Sequence, residues 1–131
     1  MIAVDTSALV AIAFGEEDAG TLLDRLTRQD SIVGALSLVE AYLVVHNQTS
    51  TAPKTILADL LSVPTLRIVP FTQTHAALAR DAYLRYGRGR GHRANLNFGD
   101  CLAYAVAKRD GLPLLFKGDD FVHTDLIPAA S

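Results

Sequence analysis

The sequence predicts an α/β protein in three layers, α/β/α, with a short central parallel sheet between helices. Three observations predict it. Short apolar, β-prone runs alternate along the chain with longer segments of helical pattern. Several of these runs end at a helix N-cap residue or a proline, so each stops cleanly after a few residues. The runs are short and mostly apolar, as strands covered by helices on both faces are. The 131 residues fit one domain over positions 1–131.

The elements follow in order. Ile2 to Val4 form the first strand, which stops at Asp5-Thr6-Ser7, three good N-caps. The helix after them continues through Leu9 to Phe14 and ends at Gly15. Glu16 to Arg28 read as a second helix, with acids early and Arg25 and Arg28 late, as the helix dipole prefers. Ser31 to Ala35 form a buried strand. Ser37 then caps a helix reaching about His46, and Ser37-x-x-Glu40 has capping-box spacing. Pro53 to Val63 form a helix closed by Pro64, and Leu66 to Val69 a strand closed by Pro70. A helix starts at Thr72 or Thr74 and runs to about Tyr86. Gly87 to Gly91 alternate with arginine and form a flexible loop. Asn97 caps a helix from Phe98 to Asp110, ended by Gly111. Leu114 to Phe116 are a buried strand, followed by Lys117-Gly118-Asp119-Asp120, and Leu126-Ile127 form a short edge strand before Pro128.

Composition narrows the function classes. Half the residues are hydrophobic, a fifth are charged and the formal net charge is −2. The chain is thus expected to build a real core, and it does not hold nucleic acid by bulk charge, although a local basic patch is compatible with these figures. Cys101 is the single cysteine, which excludes an internal disulfide and a multi-cysteine zinc site. No apolar run approaches the roughly 18 to 20 residues that span a bilayer. No basic stretch precedes the first apolar run, so the start does not read as a signal peptide and the expected location is cytoplasmic.

In a parallel sheet, ligands bind beyond the carboxyl ends of the strands. Asp5 follows the first strand and Asp119 the strand Leu114 to Phe116. Glu40 and Asp100 lie in the first turns of helices that leave the same edge. Each has a plain explanation. Asp5 suits an N-cap, Glu40 and Asp100 suit the third position of a capping box, and Asp119 suits a turn beside Gly118. Against these stand two points. Glu40 shares its helical stripe with Leu36, Leu43 and Val44, and Asp100 with Leu96, Ala103 and Tyr104. Neither has a lysine or arginine at helical spacing, and carboxylates gathered on an apolar stripe call for a cation. Oxygen-only donors select magnesium or manganese, because no soft sulfur set exists and the four histidines have no ligand spacing. Such an ion activates water against a phosphodiester.

The stretch Ile2-Ala3-Val4-Asp5-Thr6-Ser7-Ala8, the helix with Ser37-x-x-Glu40, the segment His92 to Ala107 with Leu96-Asn97-Phe98-Gly99-Asp100, and Leu114 to Phe121 with Lys117-Gly118-Asp119-Asp120 together resemble PIN-domain toxins of the VapC type. The resemblance runs over the whole chain, with the motifs in order. It implies a PIN-like fold and an endoribonuclease dependent on magnesium or manganese, hydrolysing RNA by metal-activated water to leave a 5′-phosphate and a 3′-hydroxyl. It also implies a VapB-like antitoxin that inhibits the toxin and binds DNA, and a homodimer. By the same resemblance Asp5, Glu40 and Asp100 take three acidic positions and Asp119 the fourth, with Asp120 as its competitor, while Thr6 and Ser7 shape the pocket.

Arg88, Arg90 and Arg93 on or beside the glycine-rich loop, with Arg85 and His92 near them, and Lys117 beside the acids, are candidate RNA-backbone contacts or solvated surface charges. Tyr42, Tyr83, Tyr86 and Tyr104 are base-stacking candidates, with packing the commoner role for such residues. Leu22, Leu23, Leu26, Leu57, Leu60 and Leu61 are expected to include residues facing an antitoxin or a second copy. Three alternatives compete: a non-catalytic PIN-like module binding RNA or a partner, a magnesium-dependent phosphoryl-transfer or signalling domain, and a structure-specific DNA nuclease. A dehalogenase-like phosphatase wants a second aspartate where Ser7 stands, a receiver wants paired acids after the first strand, and the DNA nucleases usually carry a helical arch absent here.

Overall fold

The computed structural model describes residues 1–129. In chain order the elements are β1 (Ile2–Val4), α1 (Thr6–Ala13), α2 (Ala19–Arg28), β2 (Ser31–Gly34), α3 (Ala35–His46), α4 (Ala52–Leu61), β3 (Leu66–Val69), α5 (Gln73–Tyr86), α6 (Phe98–Asp110) and β4 (Leu114–Leu115). The strands form one sheet in the order β3-β2-β1-β4, and every pairing is parallel. The carboxyl ends of all four strands therefore lie along one edge.

Alternate residues of the strands enter separate cores, as period-2 geometry requires. Ile2, Val4 and Val33 pack with Leu9 and Ile12 of α1, Leu22 and Leu26 of α2, Ala41 and Val45 of α3, and Leu57 and Leu60 of α4. Ala3 and Ile32 face the opposite way, onto Ala82 and Tyr86 of α5 and onto Ala103, Tyr104 and Val106 of α6. This produces the expected three layers. It also assigns four of the six candidate partner-facing leucines (Leu22, Leu26, Leu57 and Leu60) to the core, whereas Leu23 is exposed. Tyr86 and Tyr104 are core residues too, and Tyr42 and Tyr83 are exposed.

Several boundaries differ from the sequence reading. The second helix starts at Ala19, not Glu16, because Glu16 and Asp18 turn toward Lys117 and pair with its ammonium at 3.3 and 3.2 Å. The second strand stops at Gly34 and α3 begins at Ala35, so Ser37 is not its cap. Gly34, extended at ψ 142°, occupies that position, and no side chain caps the helix. The fourth helix spans Ala52–Leu61, shifted slightly toward the N-terminus from Pro53–Val63. The expected strand at Leu126-Ile127 reduces to one parallel bridge between Leu114 and Pro128, in which the Leu114 amide donates to Ile127 O and the Ala129 amide to Leu114 O. The loop after α5 is tied across its base, where the Arg88 amide donates to Leu96 O and the Leu96 amide to Tyr86 O.

Candidate metal centre at the carboxyl edge of the sheet

Asp5 leaves β1 at the edge and caps α1, with its Oδ2 accepting from the Ser7 amide at 3.0 Å. The next two hydroxyls fasten the surrounding segments. Thr6 Oγ1 donates to Ser37 O at 2.9 Å, and the Lys117 amide donates to Ser7 Oγ at 3.0 Å. The Asp-Thr-Ser triplet thus ties the start of α1 to the first turn of α3 and to the loop after β4. Those segments carry Glu40 and Asp119-Asp120.

Asp100 reaches the same edge from α6. The capping box expected there is present: the Asp100 amide donates to Asn97 Oδ1 at 2.7 Å and the Asn97 amide to Asp100 Oδ2 at 3.0 Å. The capping role of Asp5 and Asp100 coexists with the edge cluster, because each cap engages one carboxylate oxygen. Glu40 has no capping role, since α3 starts too early for one. Its stripe differs from expectation as well. Leu36 is 41% and Leu43 63% exposed, because α3 turns Ser37, Leu38, Ala41 and Val45 inward instead. Glu40 is half-buried, and its carboxylate rests on Gly99 in the first turn of α6.

The electrostatics tie these acids together. Burial is the main cause that pushes Asp5 up to about 6, against the hydrogen bonds of Ser7, and the charges of Glu40 and Asp120 add to it. Burial likewise pushes Asp100 up to about 7, with Asp120, Asp5 and Glu40 adding to it. Asp120 is among the charges acting on both buried acids, and Asp119 is not. Among the described residues no lysine, arginine or histidine forms an ion pair with Asp5, Glu40, Asp100, Asp119 or Asp120. Nor, among them, are three acid, histidine or cysteine side chains already drawn into a ready-made metal site. The donors fit a hard divalent cation all the same. They are carboxylate oxygens, two of the groups are buried, and among the described residues their negative charge has no paired cation.

The candidate RNA contacts divide. Arg88, Arg90 and Arg93 are exposed. Arg88 lines a groove of about 760 Å³ with Leu36, Tyr83, Asn97 and Phe98, which brings it beside the amino end of α6. The Arg90 guanidinium lies 5.9 Å from the centre of the Tyr83 ring. Lys117 is held by Glu16 and Asp18, so its charge is already shared by two acids, and it straps the acidic loop to the α1–α2 junction. Cys101 is buried and its thiol is pushed up to about 11, first by burial and then by Asp100, which leaves it unreactive. The sequence reading passed over Gly99. A glycine inside the first turn of a helix carries a propensity cost, and that cost was the available signal of a close approach.

A parallel sheet that brings several acids to its carboxyl edge, none of them ion-paired among the described residues, defines the class: an α/β protein with an acidic edge site. Comparison with known proteins identifies the family. Residues 2–126 match the PIN domain. The chain is 43% identical over 122 residues to the ribonuclease VapC28 of Mycobacterium tuberculosis, covering 92% of each protein. It superposes on the crystal structure of VapC20 of the same organism, a sarcin-ricin-loop-cleaving toxin, with a TM-score of 0.74, 18% identity and 97% of both chains covered. It superposes on VapBC2 of Rickettsia felis, solved with a promoter DNA fragment, with a TM-score of 0.71, 18% identity and 98% and 97% coverage. The chain belongs to the PIN domain family, among the VapC ribonucleases.

Proposed function

We propose that this chain is a metal-dependent endoribonuclease, the toxin of a VapBC-type toxin–antitoxin pair, and that Asp5, Glu40 and Asp100 form its catalytic centre. One observation carries the reading: two buried carboxyls, Asp5 and Asp100, stand at the sheet edge with raised pKa values and no protein cation paired with them among the described residues. The ribonuclease names of relatives at about 40% identity support the same reading.

Asp5 and Asp100 would hold the ion through the oxygens left free by Ser7 and Asn97, with Glu40 beside them. For the fourth acid, the position expected at Asp119 passes to Asp120, whose charge acts on both buried aspartates. Magnesium or manganese, when bound, supplies Lewis-acid activation of water and neutralises charge developing on the phosphate. The Ser7 and Asn97 amides keep the two aspartates from rotating. Thr6 and Ser7 hold the neighbouring segments in register. Arg88, which lines a groove with Asn97 and Phe98 at the amino end of α6, would contact the RNA backbone together with Arg90 and Arg93. Lys117 serves as a strap on the acidic loop instead of a phosphate contact. An antitoxin partner is supported by the toxin–antitoxin complexes among proteins of this fold. The protein is also proposed to act as a homodimer, in the cytoplasm.

The test is RNA cleavage by purified protein with manganese or magnesium. Wild type cleaves, chelation abolishes the activity, and Asp5→Asn and Asp100→Asn each lose at least about 100-fold, as loss of a metal-holding group demands. Equal degradation by all three proteins would mean a contaminant, and the reading would fail.

A further inference from the structure

We infer that Gly99 is a positioning residue for Glu40: its missing side chain is the space in which the Glu40 carboxylate reaches the amino end of α6 beside Asp100. This rests on the metal-centre reading above and adds a residue that reading does not contain.

Gly99 is a helical residue of α6 with no left-handed φ. The backbone does not ask for glycine, and alanine is the better helix former at such a position. What occupies the glycine's open side is Glu40. A Cβ built on Gly99 would overlap Glu40 Oε2 and would stand 2.8 Å from both Cδ and Oε1, closer than such atoms approach one another. The three nearest atoms outside the helix's own backbone all belong to the far end of one flexible side chain. An alanine there is therefore accommodated by swinging Glu40 aside, and the helix itself need not move.

The place Glu40 occupies is chemically defined. It lies on the first turn of α6, whose free amides favour an anion. Its charge acts on both Asp5 and Asp100. Filling the space with a methyl group separates this carboxylate from the other two while the Asn97–Asp100 cap stays intact.

The experiment measures Mn²⁺ affinity by titration calorimetry, with thermal melts in parallel. The proteins are wild type, Gly99→Ala, Glu40→Ala, the double variant Gly99→Ala/Glu40→Ala, and Gly99→Ala/Glu40→Asp. Gly99→Ala is expected to melt no lower than wild type and to bind Mn²⁺ at least about tenfold more weakly. The shorter Glu40→Asp side chain, placed in the Gly99→Ala background, recovers most of that loss. In the Glu40→Ala background, Gly99→Ala changes affinity by less than about twofold, since no carboxylate remains to displace. The inference is overturned if Gly99→Ala binds Mn²⁺ as wild type does. It is also overturned if the substitution weakens binding equally with and without Glu40, or if it lowers the melting temperature without recovery by Glu40→Asp. Wild type binding no Mn²⁺ sinks the metal-centre reading itself, and this inference with it.

Discussion

Asp5 and Asp100 are residues at which charge works against folding. Burial, then the neighbouring acids, raises the first from 3.8 to about 6 and the second to about 7. The folded protein therefore holds more protons than the unfolded chain between about pH 4 and pH 7. Stability from these groups is greatest below that window, falls as pH rises through it and is level above it. Asparagine removes the charge and keeps an acceptor oxygen for Ser7 or Asn97. Asp5→Asn and Asp100→Asn are accordingly expected to raise the unfolding free energy by about 1–3 kcal/mol each at pH 8 without added metal. The gain at Asp100 is no smaller than at Asp5, because its carboxyl is raised further, and both acids stand at helix starts, where an anion is favourable by about 0.3–1 kcal/mol. Denaturant titrations at pH 8 and pH 4 check this, and the gain should vanish at the lower pH; a loss at pH 8 contradicts the burial argument. These two acids were legible in the sequence because each follows a recognisable structural stop, the end of an apolar run or an asparagine cap. The proposed preference for Asp120 over Asp119 has no such signal, since both follow Gly118, at φ +95°, and the direction of each side chain depends on that turn's dihedrals. The surroundings of Glu40 differ from those its sequence pattern predicts. Its stripe is largely solvent-facing, and its carboxylate rests on a glycine 59 positions downstream, a contact no local pattern carries.

At the scale of elements, a helix start was readable where a side chain makes the cap and unreadable where it does not. Asp5 and Asn97 cap α1 and α6 with their own oxygens, and Gly111, left-handed at φ 64°, ends α6. All three positions stood out in the sequence. By contrast α3 emerges directly from β2 through Gly34 with no side-chain cap, so the nearest cap-forming residue, Ser37, attracted the assignment. The start of α2 failed because Glu16 and Asp18 enter a tertiary ion pair with Lys117, a partner about a hundred residues away in sequence. The caps that were legible also have consequences for the site. Asn97 Oδ1 is the acceptor for the Asp100 amide, so Asn97→Ala leaves that donor without its partner at the base of the acidic cluster. It is expected to cost about 1 kcal/mol of stability and to weaken Mn²⁺ binding by about tenfold. Thermal unfolding and calorimetry on the same preparation separate the two effects. Undiminished metal affinity with the full stability loss would mean that Asp100 keeps its position through the Asn97 amide alone.

Over the whole molecule, the parallel order β3-β2-β1-β4 makes one edge the meeting place of four separate segments, which is why an alternation of strands and helices sufficed to locate the acids. The stitching of the C-terminal segment onto this frame was not legible, because it runs through side chains on three elements. Asp125 accepts from Tyr104 Oη and Lys108 Nζ of α6, both at 2.7 Å, and from Arg85 Nη1 of α5 at 3.5 Å. Partial burial would raise its pKa, but the Lys108 and Tyr104 hydrogen bonds and the charges of Lys108 and Arg85 prevail and hold it at about 2. A carboxyl held below its unfolded value contributes stability above about pH 4 and loses it as pH falls toward the folded value. Water reaches the side chain, so screening reduces the contribution well below what the shift alone suggests. Asp125→Asn is thus expected to cost about 1 kcal/mol at pH 7. Thermal melts of both proteins across the acid range follow the sign. The gap should be constant from pH 7 to about pH 5, fall to roughly half by pH 3 and close further below it. A gap that stays constant down to about pH 2 would mean that the network stabilises by packing Tyr104 and not by charge, since packing does not titrate there.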